Sequence, residues 1–144
     1  MFLDALGLVS DAQAFGAAAV STNSIDLTLL TTGRQIGTGE PMGFGFQIDV
    51  TATVAPPIVE IISATDGALT AGIIQHVAET IPLALALAGS LWFIPLPQGT
   101  PTQRFLGIRV TTAGGTITAT SWLTTHSMFS IHTKHYAKGY VITG

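Results

Sequence analysis

The chain has 144 residues, of which 9% are charged and 47% apolar, with 16 glycines, 21 threonines and no cysteine. That composition excludes intrinsic disorder, coiled coils, helical bundles, disulfide scaffolds and thiolate chemistry. Five Lys and Arg against eight Asp and Glu give a formal net charge of −3, with no basic stripe, so nucleic acid is excluded as a partner.

Residues 1–20 carry the helical signal. Phe2, Leu3, Leu6 and Val9 recur at three- and four-residue steps, Asp4 lies in the first turn, and Ser10-Asp11 offers an end or a fresh N-cap for Ala12 to Ala19. So short a helix is marginal alone in water. It is either docked on its own domain or an arm ordered by a partner. After the polar break Ser21–Ser24, Ile25, Leu27 and Leu29 alternate with Asp26 and Thr28 as a half-buried strand. A glycine-rich loop follows over 31–43. From Phe44 the alternation is clean: Phe44, Phe46, Ile48, Val50 and Ala52 share one face, and Gly45, Gln47, Asp49, Thr51 and Thr53 the other.

Pro56-Pro57 closes that strand, Ile58 to Ile62 opens another, and Asp66-Gly67 is a turn signal. Residues 69–80 fit helical and strand spacing alike and are assigned as strand. Further strands are predicted at Leu83–Ala88, Leu91–Leu96, Arg104–Thr112 and Thr116–Thr124, with a loop at Pro97–Pro101. The last two are expected to pair as a hairpin across the Gly114-Gly115 turn. From His126 the chain turns basic, with His126, His132, Lys134, His135 and Lys138 in a flexible or partner-bound tail.

About eight strands with turns every 8–12 residues predict an all-β fold, a jelly-roll or β-sandwich of antiparallel strands with an N-terminal arm or short helix. The organisation expected is an arm at 1–24, a β domain at 25–125 and a C-terminal extension at 126–144. The apolar run Ile81–Leu96 is broken by Pro82, Gly89-Ser90 and Pro95, too short a clean stretch for a spanning helix. The N-terminus has no basic n-region, so a soluble protein without membrane partners is expected.

Chemistry is sparse. Gly37-Thr38-Gly39-Glu40-Pro41-Met42-Gly43 is broken by proline and opens a strand, unlike a phosphate loop at a helix N-terminus. His126, His132 and His135 lack a carboxylate to orient a metal-bound ring, and solvated or interface histidines are the better reading. His76, among Ile73, Ile74 and Val77, reads as a hydrogen-bonded histidine at the core edge. No Gly-x-Ser-x-Gly elbow exists and the carboxylates are scattered singly. No enzyme activity, cofactor or metal is expected. Arg104 and Arg109 read as ion-paired, with a partner contact through Arg104 the sharper alternative, and Trp92 and Trp122 read as core.

Residues 1–14, with Ser21-Thr-Asn-Ser-Ile-Asp-Leu27, resemble the N-terminus of tailed-phage capsid cement proteins, the family typified by the cement protein of a Bordetella bacteriophage. Trp92-Phe-Ile-Pro-Leu-Pro97 and Arg104-Phe-Leu-Gly-Ile-Arg-Val110 are similar to its Pro-containing and Arg-aromatic-Leu-Gly strands, and Thr116–Thr120 falls where it closes its sheet. The resemblance covers most of 1–124; the histidine-bearing tail departs from it. It implies a jelly-roll decoration protein on the outer surface of an icosahedral phage head, made in the bacterial cytoplasm. Its partners would be the major capsid protein and itself, as a homo-oligomer, dimer or trimer. Segment 1–27 would lie along capsid or sister subunits, giving a partner interface of Phe2, Leu3, Leu6, Ile25, Leu27 and Arg104. The alternative is a β-sandwich binding module for carbohydrate or a receptor, outside any shell.

Overall fold

The computed structural model describes residues 7–27, 35–36, 40–52, 54–97 and 100–135. In chain order the strands are β1 (Leu8–Phe15), β2 (Ala19–Val20), β3 (Ile25–Asp26), β4 (Gln35–Ile36), β5 (Met42–Val50) and β6 (Ile58–Ala64). There follow β7 (Ile74–Thr80), a 3-10 turn at Leu83–Leu85, β8 (Leu91–Pro95), β9 (Thr100–Pro101), β10 (Phe105–Thr111), β11 (Ile117–Thr125) and the helix α1 (His126–His135).

One sheet has the order β1-β11-β5-β8. The second has β2-β10-β6-β7, with β3 also paired to β10, and β4 with β9 forms a small ribbon. Every pairing is antiparallel. With β2 and β3 taken as one broken strand and the ribbon set aside, chain-consecutive strands fall in opposite sheets, except β6 with β7. That interleaving is a jelly roll, as the alternating patterns predict.

The core lies between the sheets. Phe44, Phe46 and Ile48 of β5 meet Val59 and Ile61 of β6, Leu106, Ile108 and Val110 of β10, and Ile117 and Ala119 of β11. Alternation on β5 and β10 delivers these side chains to one face because successive residues of a strand point oppositely. A smaller cluster forms outside the second sheet, where Leu69 folds over Ile62, Ala64 and Phe105. Leu69 sits at φ +58° with 1% exposure. Asp66 holds its loop by accepting bonds from Thr70 N–H at 2.9 Å, Thr70 Oγ1 at 2.7 Å and Ala71 N–H at 2.7 Å.

Three expectations are corrected. Leu8–Phe15 and Ala19–Val20 are strands joined by a turn, not a helix. β1 carries two register shifts against β11, with Ala12 at φ +43°, and these irregularities break the two-residue period that a strand would otherwise display. Its buried ends, Val9 and Phe15, belong to the main core. Leu83–Ala88 is not a strand either. After Pro82 the chain turns, with Leu85 N–H and Ala86 N–H both bonding to Pro82 O, at 2.8 and 3.0 Å. Ala86 is buried and Leu83 packs on the core at three-residue spacing, while Leu85 and Leu87 face out. Finally, β10 and β11 do not pair with each other. Thr111 faces Ile58 in one sheet and Ile117 faces Phe15 in the other, so the turn around Gly115, at φ +74°, carries the chain between sheets.

Smaller readings also resolve. The ambiguous stretch at 69–80 is strand from Ile74. The strand expected at Ile25–Leu29 is β3, after which Leu27 N–H still bonds Arg104 O at 2.8 Å; residues 28–30 lie outside the described part. The glycine loop is described only at Gln35–Ile36, the half-ribbon β4, and from Glu40 onward. Past Thr125 the tail is helical through His135.

Candidate interaction surface

The residues expected at a partner interface divide three ways. Phe2, Leu3 and Leu6 lie outside the described residues. Ile25 packs against the main core and Leu27, 8% exposed, is part of it, so both serve the fold. Arg104 is on the surface. Its Nε and Nη2 donate to the two carboxylate oxygens of Asp26, both at 3.0 Å, and its guanidinium lies 4.8 Å from the Phe105 ring centroid. This bidentate pair joins β3 to the start of β10, where Phe105 faces Asp26 in register.

A second fork lies further along β10. Arg109 Nε and Nη2 donate to Glu60 at 2.6 and 3.1 Å, and Thr111 Oγ1 donates to Glu60 Oε2 at 3.2 Å. The Glu60 side chain is 9% exposed and that of Arg109 26%. Hydrogen bonds from Arg109 hold the Glu60 carboxyl below the usual carboxylate range, against the opposing effect of burial. Both arginines in the described residues are therefore committed within the fold.

The nearest approach to a nucleophile–base pair is Ser63 with His76, at 2.7 Å between Oγ and Nε2. Ser63 is fully buried, and its Oγ also accepts Gln103 N–H at 3.0 Å. Ser63 thus clips β6, β7 and the approach to β10 together. Burial pushes the His76 pKa down. Among the described residues no cluster of three or more His, Asp and Glu could hold a metal ion, and no helix is long and apolar enough to cross a membrane.

On the outer face of the first sheet, opposite Phe44 and Phe46, Gly45 gives room for Trp122. A Cβ on Gly45 would stand 2.4 Å from Trp122 Cε2. Trp122 is 3% exposed, so the burial expected of it holds, though outside the inter-sheet core. Trp92 packs on that core and donates to Ser90 Oγ at 3.3 Å. Further along this face Asp49 accepts Thr120 Oγ1 at 2.7 Å and Gln47 Nε2 at 3.1 Å, and the bulged Ala12 N–H donates to Thr120 Oγ1 at 2.9 Å. The helix α1 covers one end of the face. Phe93 meets His126 edge-on at 5.2 Å and Phe129 at 5.4 Å, and Glu40 accepts from both the N–H and the hydroxyl of Ser127 at the helix start.

Among the described residues the exposed large apolar side chains are Val50, Val54, Ile73, Ile74, Leu85, Leu87 and Met128. All are aliphatic or thioether. Leu85 and Leu87 escaped sequence reasoning because an Leu-Ala alternation reads as a strand with one buried face; Pro82 ahead of it was the signal for a turn. A comparison with curated proteins found none that matches. The model of the Bbp16 family matches residues 9–125, from the second residue of β1 to the last of β11 and so the whole jelly roll, and the chain belongs to the Bbp16 family.

Proposed function

We propose that this protein is a structural virion protein: a capsid cement or decoration protein that binds the outer surface of an icosahedral phage head and stabilises contacts between major capsid proteins. The observation that carries the reading is the family match across the sandwich, joined to the resemblance of residues 1–14, 21–27, 92–97 and 104–110 to tailed-phage cement proteins. The chemistry of the surface supports it. Among the described residues the arginines are spent on internal pairs, the serine bonded to His76 is buried, and seven large apolar side chains are exposed. Such a surface suits a protein whose work is contact rather than catalysis, and many modest contacts made at once give avidity. The carbohydrate-binding alternative draws less support, because the large apolar side chains exposed among the described residues include no aromatic.

The test is co-sedimentation of the full chain with mature heads stripped of it. Saturable binding at a fixed ratio to major capsid protein is expected. A folded protein that does not bind refutes the reading. The part assigned to the N-terminus is tested by a deletion that stops short of β1. β1 pairs along β11 and places Val9 and Phe15 in the core, so a deletion reaching into it removes an integral strand of the sandwich. Deleting residues 2–6 leaves β1 whole and tests Phe2, Leu3 and Leu6 as capsid contacts. Weakened attachment by a stably folded deletion is expected; unchanged attachment refutes their role.

A further inference from the structure

The sandwich is polarised along its strands. At one end β1, β5, β7 and β10 finish, since Phe15 faces Ile117, Val50 faces Thr118, and Thr111 and Thr80 both flank Ile58. Four connections meet there, described at 16–18, 51–52 with 54–57, 81–90 and 112–116. Together they contain no Asp, Glu, Lys, Arg or His. Among the described residues, the titratable groups of the connections, Glu40, Asp66 and Arg104, lie at the opposite end, with His126 at the start of α1 beside them. Four of the seven exposed large apolar side chains are at the uncharged end: Val50 at 57%, Val54 at 63%, Leu85 at 52% and Leu87 at 51%.

These side chains are held out by a braced frame. Ala52 N–H bonds Ala86 O at 3.0 Å, Ala88 N–H bonds Thr51 Oγ1 at 2.9 Å, and Gly89 N–H bonds Ile48 O at 2.7 Å. Val54 lies against Gly114 and Gly115, where an added Cβ would stand 3.1 and 3.0 Å from its side chain. A frame fixed before contact loses little freedom on binding, the condition under which modest apolar area yields affinity.

We infer that this uncharged loop end is the surface through which the protein docks on an uncharged, apolar surface of the shell protein. The inference rests on the cement reading. A charged partner surface would lose its hydration here and find no counter-charge. Interfacial docking on lipid uses Lys and Arg beside the apolar residues, whereas the charges that adjoin these connections in the chain are Asp49 and Glu79. Two copies meeting end to end would hide the one uncharged loop end. The shell would then meet a body with seven acids against three arginines over residues 7–125, a net charge of −4.

The experiment uses the full chain carrying Leu85→Ser and Leu87→Ser, with Ile74→Ser as an exposed apolar control on another part of the surface. Melting temperature, sedimentation coefficient and binding to stripped heads are measured for each. Val50→Thr with Val54→Thr, which keeps the branched shape, is a second probe of the same end. The expected result is a loss of head affinity of about tenfold or more for both pairs, with unchanged melting and oligomeric state, and no loss for Ile74→Ser. If wild type and both pairs bind equally, the inference fails while the cement reading stands. If the pairs instead dissociate a wild-type oligomer, the end is a self-interface and the inference is overturned. If wild type itself does not bind, the cement reading fails and takes the inference with it.

Discussion

Gly45→Ala sets two general effects against each other, and the structure decides the sign. Replacing glycine by alanine in a strand ordinarily stabilises by about 0.4–1 kcal/mol, because the unfolded chain loses freedom. At Gly45 the new methyl would stand 2.4 Å from Trp122 Cε2 and 2.5 Å from Cζ2. Trp122 is 3% exposed and β11 is paired on both sides, to β1 and β5, so the indole has little room to retreat. Overpacking of this kind costs about 1–3 kcal/mol, which exceeds the entropic gain. The net loss expected is about 1–2 kcal/mol. With an unfolding entropy near 2.1 cal/mol/K per residue, a chain of 144 residues changes by about 0.3 kcal/mol per degree, so melting should fall by about 3–7 °C. Thermal unfolding followed by circular dichroism, with urea titration alongside, measures both quantities. The same substitution in a Trp122→Leu background should be neutral or mildly stabilising, since the obstruction is gone. Equal losses in the two backgrounds, or a Gly45→Ala protein more stable than wild type, would refute the close approach.

The two arginine forks should differ sharply. Glu60→Gln leaves Arg109 facing a neutral amide in a part-buried site and should cost about 1–3 kcal/mol in urea unfolding, whereas Arg104→Ala, breaking a pair about half-exposed on both sides, should melt within error of wild type. Because the folded Glu60 carboxyl sits below its ordinary value of 4.5, its contribution is fully present above that pH and is lost as pH falls through the folded value; an Arg109→Gln protein should show a flatter acid limb in a stability–pH profile. His76 has the opposite chemistry and the same acid sensitivity: its folded pKa lies below 6.5, so the unfolded chain takes up the proton first, and stability should fall as pH drops from 6.5, a slope that His76→Gln removes. Leu69→Ala empties the outer cluster over Ile62 and Ala64 and should cost about 2–4 kcal/mol, with faster amide exchange in the loop 65–73 as its local signature.

The strands that sequence reasoning finds are those with an uninterrupted period. β5 and β10 alternate cleanly because one face of each meets the opposing sheet along its whole length, and the Asp66-Gly67 turn announces itself through side-chain chemistry that acts locally. β1 escapes because, with its register shifts against β11, Asp11 and Gln13 stay out of the core although they stand at the strand positions between Val9 and Phe15, while Phe2, Leu3, Leu6 and Val9 mimic a helix. The partner of β11 escapes for a different reason. An alternating pattern says which side of a strand is buried and nothing about which sheet it joins, so five residues around Gly115 serve a hairpin or a crossing between sheets equally well. Arg104 was legible as an ion pair because a lone arginine in an apolar strand needs a carboxylate; that the carboxylate is Asp26 follows only from β3 lying beside β10.

The uncharged end could be seen only once topology was known, although every residue in it is plain in the sequence. Residues 16–18, 51–57, 81–90 and 112–116 are separated by up to 100 positions, and each alone is an ordinary small-residue or proline-bearing loop. The jelly-roll order is what gathers them, because a chain that crosses between sheets at almost every turn sends alternate connections to the same end. The same crossing sends Glu40, Asp66 and Arg104 to the other. A polar molecule of this kind can be oriented on a surface without any dedicated recognition residue: apolar burial draws one end in, and the cost of desolvating charged groups holds the other end out in water. Orientation by exclusion needs no catalytic group and tolerates a modest contact per copy, provided that many copies are held at once.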